Sequence, residues 1–117
     1  MIRKIKKSKE IHGTKFIHLL SPCPPGWRIP PEKVIHLSRL AVKARVFPLV
    51  EIEDGQQYTI NINPDPIPVK EYLEAQGRFA HLSDEDVEEI QHEVDHEWRR
   101  LLKRTEFGSA LFHSDQR

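Results

Sequence analysis

A single cysteine among 117 residues leaves no partner for an internal disulfide, which excludes a disulfide-stapled scaffold and fits a reducing, cytoplasmic setting. Net charge is lacking as well. Lysine plus arginine and aspartate plus glutamate come to 18 each, so nothing in the balance advertises a polyanionic partner. The first residues are basic (Arg3, Lys4, Lys6, Lys7, Lys9), but no apolar run long enough for a signal peptide or membrane span follows. The expectation is a soluble chain with neither nucleic acid nor membrane as partner. Hydrophobic residues reach only 38%, while proline is plentiful at nine. That combination suggests a loop-rich piece that leans on neighbours. No internal repeat is visible.

The pattern predicts a helix over residues 2–12, with Ile2, Ile5 and Ile11 apolar and Gly13 as its stop. Its basic residues have no aromatic residues among them, so a solvated face is expected rather than one for RNA or lipid. Phe16–Leu20 is too short for a helix and too apolar for a surface loop, and predicts a buried parallel strand with His18 as a core histidine. From Pro31 a helix follows whose apolar face carries Val34, Leu37, Ala41 and Ala44, widened by Ile35 and Val42. So broad a face belongs against a sheet. Residues 49–62 predict a β-hairpin with a three-residue loop, Glu53-Asp54-Gly55, which puts Val50, Ile52, Tyr58, Ile60 and Ile62 on one side. A proline-spaced connector, Asn63 to Pro68, leads to a short helix near Val69–Gln76, ended by Gly77. The last helix starts at a capping box, Ser83 with Asp86, framed by the staple pair Leu82 and Val87. Its stripe is Val87, Ile90, Val94, Trp98, Leu101 and Leu102. The tail 109–117 has no pattern and is expected to be disordered, leaving residues 1–108 as a single partial α/β domain.

His92-Glu93-Val94-Asp95-His96 matches the helical H-E-x-x-H pattern of zinc proteases. In those enzymes both imidazoles face a cleft and the glutamate polarises a metal-bound water. Here a helical wheel puts both histidines with Glu85, Glu89 and Lys103, opposite Val87. That is the solvated side, and a catalytic zinc is not expected.

The chemistry-bearing stretch is Ser21-Pro22-Cys23-Pro24-Pro25-Gly26-Trp27, between the apolar run and the helix that follows. Its prolines fix φ and delete amide donors, which argues against helix or central strand and for a rigid loop holding out one sulfur. A lone cysteine in such a loop can also be no more than a small hydrophobe.

This stretch resembles a segment near the C-terminus of the β subunit of pyruvate:ferredoxin oxidoreductases (pyruvate synthases) and their 2-oxoacid relatives. Further matches follow in order: Leu40-Ala41-Val42, Phe47-Pro48-Leu49-Val50-Glu51, Asp54-Gly55, Pro68-Val69, Tyr72-Leu73, Gln76-Gly77-Arg78-Phe79, and the helix from Ile90-Gln91 to Trp98. The similarity covers about residues 5–102. The pair Pro-Cys-x-x-Gly-Trp and Gln-Gly-Arg-Phe, in this order, is its most specific part.

The resemblance implies an α/β chain, the C-terminal part of a thiamine-diphosphate-binding fold with one parallel strand, a β-hairpin and about four helices. It implies decarboxylation of a 2-oxoacid, with pyruvate expected, on thiamine diphosphate with magnesium. Electrons would leave through [4Fe–4S] clusters to ferredoxin and coenzyme A would take the acyl group. By that match Cys23 is the fourth thiolate ligand of a cluster, the other three lying upstream. Those cysteines are absent here, as is the Gly-Asp-Gly-type segment that holds magnesium and diphosphate. The expectation is a partial β subunit, not catalytic alone, whose partners are the remaining β-subunit sequence and the other oxidoreductase subunits. The alternative is a non-catalytic interaction module on the same fold, docking through the hairpin's apolar face and the Val87–Leu102 stripe.

Overall fold

Helix α1 (Ile2–Glu10) opens the chain and is followed by an extended stretch without regular structure. Next come one turn of helix, α2 (Pro24–Trp27), and a 3-10 turn (Pro31–Lys33) that runs into α3 (Val34–Lys43). Strands β1 (Val50–Glu53) and β2 (Gln57–Ile60) form an antiparallel hairpin. The chain ends with α4 (Val69–Glu74), a 3-10 turn (Gly77–Phe79) and the long helix α5 (Asp84–Ser114). This computed structural model describes residues 2–114, with side chains for 2–106.

The mixed α/β expectation holds, but the parallel strand does not. Phe16–Leu20 makes no strand pairing, and the sheet among the described residues has two antiparallel strands only. A strand needs a neighbour to bond to, and none is within the chain's reach there. His18 is exposed instead of buried, its ring edge-on to Phe47 at 5.1 Å. The body is therefore helical. Leu37, Leu40, Ala41 and Ala44 of the α3 region pack with Val69, Tyr72 and Leu73 of α4 and with Ile29. So α3 buries its face against α4 rather than a sheet, and Ile35, which was expected to widen that face, is 64% exposed.

The hairpin pairs Val50 with Ile60 and Ile52 with Tyr58. The three-residue loop is Asp54-Gly55-Gln56, shifted one residue from the expected Glu53-Asp54-Gly55. Either register groups the apolar residues on one face. The observed one places Asp54 and Gly55, φ +51° and +70°, at both centres of a turn closed by the Gln56 amide on the Glu53 carbonyl at 3.1 Å. β2 packs along α5, while α1 lies by β1 through charge. The Lys4 ammonium donates to the Val50 carbonyl at 2.9 Å, and Lys7 to Glu51 and Glu53. No residue of α1 is buried.

The capping box forms as expected. The Ser83 amide and hydroxyl donate to Asp86 Oδ2 at 2.8 and 2.9 Å, and the Asp86 amide donates to Ser83 Oγ at 3.1 Å. A cap not foreseen is Gln91, whose Oε1 accepts the Val69 amide at 2.7 Å and ties the start of α4 to α5. The α5 backbone passes Gly108 and stays helical to Ser114, within the stretch expected to be a disordered tail, and residues 115–117 lie outside the described ones. The Cα radius of gyration is 17.0 Å, against about 13 Å for a compact domain of this length. No helix among the described residues is long and apolar enough to cross a membrane.

Candidate functional site

The sequence argued against helix around Cys23, yet Pro24–Trp27 is one helical turn. The prolines sit at its first positions, where an amide has no helical acceptor to lose and the fixed φ suits the turn. Cys23 is the residue before it, extended at φ −102° and ψ 107°, and its carbonyl accepts the Trp27 amide at 2.8 Å. Arg28 ends the turn in the left-handed region at φ +52°. The Ile29 amide reaches the Pro24 carbonyl at 3.0 Å and the Arg28 amide the Pro25 carbonyl at 3.4 Å. This is the paired closure of a Schellman motif, with arginine where glycine is usual.

Both ends of the loop are pinned. Pro22 is buried on one side and Ile29 on the other, while Cys23 between them is exposed. The thiol is exposed, on a helical turn where a non-helical loop was expected. A Cβ on Gly26 would lie 3.4 Å from Cys23 Sγ, so glycine there leaves one flank of the sulfur open.

The second specific motif comes to the same place. The Gly77 amide donates to the Arg28 carbonyl at 3.2 Å, and a Cβ on Gly77 would meet Arg28 Cβ at 2.9 Å. The Arg78 guanidinium lies over the Trp27 ring at 3.8 Å and over Phe79 at 4.5 Å. Its Nε donates to Gln76 Oε1 at 2.9 Å, and Gln76, almost fully buried, donates in turn to the Tyr72 carbonyl at 2.7 Å. A chain of named contacts thus runs from the end of α4 to the turn that carries the thiol. Nothing in one dimension pairs Trp27 with Arg78 across some fifty positions, so the sequence could suggest the two motifs but not this clamp.

His92 and His96 are exposed on α5, on the side the wheel assigned them. Among the described residues no three His, Cys, Asp or Glu side chains gather as a metal site. Cys23 can be one ligand of a metal group, and among the described residues no group of further ligands gathers around it.

No family model matches the sequence. Individual relatives do. The chain is 50% identical over 111 residues to ketoisovalerate oxidoreductase subunit VorB of Pyrococcus horikoshii, covering 92% of this chain and 35% of that protein. It is 48% identical over 101 residues to pyruvate synthase subunit PorB of Methanocaldococcus jannaschii, covering 86% and 34%. With pyruvate synthase subunit PorB of Pyrococcus furiosus the identity is 38% over 120 residues, covering 86% and 36%. The chain spans about a third of the length of the curated relatives it matches. Over that span it belongs to the β subunits of the 2-oxoacid:ferredoxin oxidoreductases, the family of the pyruvate synthases.

Proposed function

We propose that this chain is part of the β subunit of a thiamine-diphosphate-dependent 2-oxoacid:ferredoxin oxidoreductase. In this reading Cys23 is one thiolate ligand of a [4Fe–4S] cluster whose other ligands come from sequence outside this chain. The observation that supports it best is the exposed thiol on a turn pinned at both ends, in a chain half identical to such subunits. The donor fits the group as far as it goes. Sulfur is the ligand such clusters take, and the Gly26 flank is open. When bound, the cluster carries single electrons. The work of this chain is to hold the sulfur still: Pro22, Ile29 and the Arg78–Trp27 stack limit its movement. In this reading thiamine diphosphate and magnesium belong to the complete enzyme; among the described residues no group of side chains gathers as a metal site.

Relatives named for ketoisovalerate and for pyruvate are about equally similar, so the substrate is proposed as the 2-oxoacid class. The interaction-module alternative needs the hairpin face and the Val87–Leu102 stripe to be free. Instead β2 packs along α5, and Trp98 at the centre of that stripe is 4% exposed.

The test is co-expression with the part of the Pyrococcus horikoshii subunit that this chain does not match, followed by anaerobic reconstitution with iron and sulfide. A brown complex whose iron is lost in Cys23→Ser supports the reading. A colourless complex overturns the ligand assignment.

A further inference from the structure

We propose that α1 is an ionic strap over the outer edge of β1, helical while Lys4 and Lys7 hold it to the strand and unwound when salt screens them. Helices in proteins draw most of their stability from a packed apolar face. α1 has none, since no residue of it is buried and Ile2 is 71% exposed. Its own charges oppose it as well. Arg3, Lys4, Lys6, Lys7 and Lys9 share the helix with one acid, Glu10. Like charges three or four positions apart repel, as in Arg3 with Lys6 and Lys7, and Lys4 with Lys7. What favours the helix lies on β1. The Lys4 ammonium donates to the Val50 carbonyl at 2.9 Å and stands 3.9 Å from Glu51. Lys7 donates to Glu51 at 3.1 Å and to Glu53. Lysines one turn apart on a helix thus meet carboxylates two apart on a strand, and each pair shares one face of its element.

The place these lysines cover is an open sheet edge. Antiparallel strands exchange backbone bonds at alternate residues. The Asn61 amide donates to the Leu49 carbonyl, and in the same register Glu51 faces Thr59 and Glu53 faces Gln57. Those residues turn their amides and carbonyls toward β2, so Val50 and Ile52 turn theirs outward. Among the described residues no strand pairs with that edge. Lys4 caps its Val50 carbonyl, and lysine laid along an edge is one way to keep other strands off it. The strap is free to leave, because residues 12–21 make no backbone hydrogen bond to another described residue. The body does not depend on it: the core joins α3, α4 and Ile29 and contains nothing from α1. Release therefore uncovers the Val50–Ile52 edge and frees a basic segment while the rest of the fold stays as it is.

The experiment is nuclear magnetic resonance of the whole chain at about 10 mM and about 1 M sodium chloride, between which the screening length falls from about 30 Å to about 3 Å. The Cα shifts of residues 2–10 report the helical population of α1. That population is expected to fall roughly threefold or more in high salt, while the shifts of α3 and α5 hold. Salt also relieves the repulsion among the cations of α1, so a helix that stood by itself would gain from it. A rise, or no change, overturns the proposal. So does a loss in which α3 and α5 unwind together with α1. Lys7→Gln should unwind α1 already in low salt. Lys6→Gln, at an exposed cation that bonds to neither Glu51 nor Glu53, should leave it as helical or more so. Equal losses in the two variants would show that β1 does not hold the helix, and would overturn the proposal as well.

Discussion

The Arg78 guanidinium carbon lies 3.8 Å from the centroid of the Trp27 ring. That contact joins the turn carrying the thiol to the segment after α4, and it makes Arg78 a positioning residue for Cys23. Lysine cannot replace it, since an ammonium has neither the planar face for the ring nor the Nε donor for Gln76. Arg78→Lys and Arg78→Leu are each expected to cost about 1–2 kcal/mol in urea unfolding. In the reconstituted complex both should also broaden or shift the electron paramagnetic resonance of the reduced cluster, which a loss of stability alone would not do. An unchanged spectrum would reduce Arg78 to a packing role.

Gly77 and Gly55 are predicted to tolerate alanine for different reasons and to different degrees. At Gly77 the new methyl meets Arg28 Cβ at 2.9 Å and the Arg28 carbonyl oxygen at 3.1 Å, so the backbone must move. A cost of about 1–3 kcal/mol is expected, with a change in Trp27 fluorescence as the turn shifts. Gly55 has open space around it, and its cost comes from φ +70° alone, about 1 kcal/mol, with Trp27 unaffected. Equal effects on Trp27 would show that the close approach of Gly77 to Arg28 does not hold the turn.

Cys23→Ser is expected to leave the free chain's stability within about 0.5 kcal/mol, because the thiol is exposed and packs against little. Iron content of the reconstituted complex should fall sharply. His92→Ala and His96→Ala should change neither quantity, since both rings face solvent. Metal analysis of the purified complexes decides it, and loss of iron in His92→Ala would place the ligand elsewhere.

The parts of this fold that are settled locally were legible in the sequence. The Ser83–Asp86 capping box, the α1 stop near Gly13 and the apolar stripe of α5 depend on residues within a few positions of one another. The hairpin was legible but its loop slipped by a residue, because two registers satisfy the same alternation and only the Asp54–Gly55 backbone chooses between them. Phe16–Leu20 reads as a buried strand because its composition is that of one. Among the described residues it pairs with no strand, so composition alone does not make it one. At the site, Cys23 stood out by its prolines, whereas the clamp formed by Gln76, Gly77 and Arg78 needs the third dimension. Proline breaks a helix in its interior but starts one at its first positions, and Pro24 stands at such a position.

The last prediction concerns pH. Hydrogen bonds from the Ser83 amide and hydroxyl hold the Asp86 carboxyl below its ordinary value, bonding to Lys7 lowers Glu51, and bonding to Lys70 lowers Asp84. A carboxylate whose value is lower in the folded chain than in the unfolded one stabilises fully above the ordinary carboxylate range, and that contribution disappears as the pH falls through the folded value. Lys7 is raised by its hydrogen bonds to Glu53 first and then Glu51, and Lys70 by that to Asp84, so their contribution is complete below the ordinary lysine value and is lost as the pH rises through the folded one. Melting temperature should therefore be level across neutrality, fall on the acid side, and fall again only in strong alkali. Apart from half-buried Glu51 these groups are exposed, so the changes are small. Salt separates them: it screens the lysine pairs, but it acts little on the short bonds from Ser83 to Asp86. Asp86→Asn, which cannot ionise, should flatten the part of the acid limb that survives high salt. If high salt alone abolishes that limb, the ion pairs account for it and the cap at the start of α5 is worth less than its geometry suggests.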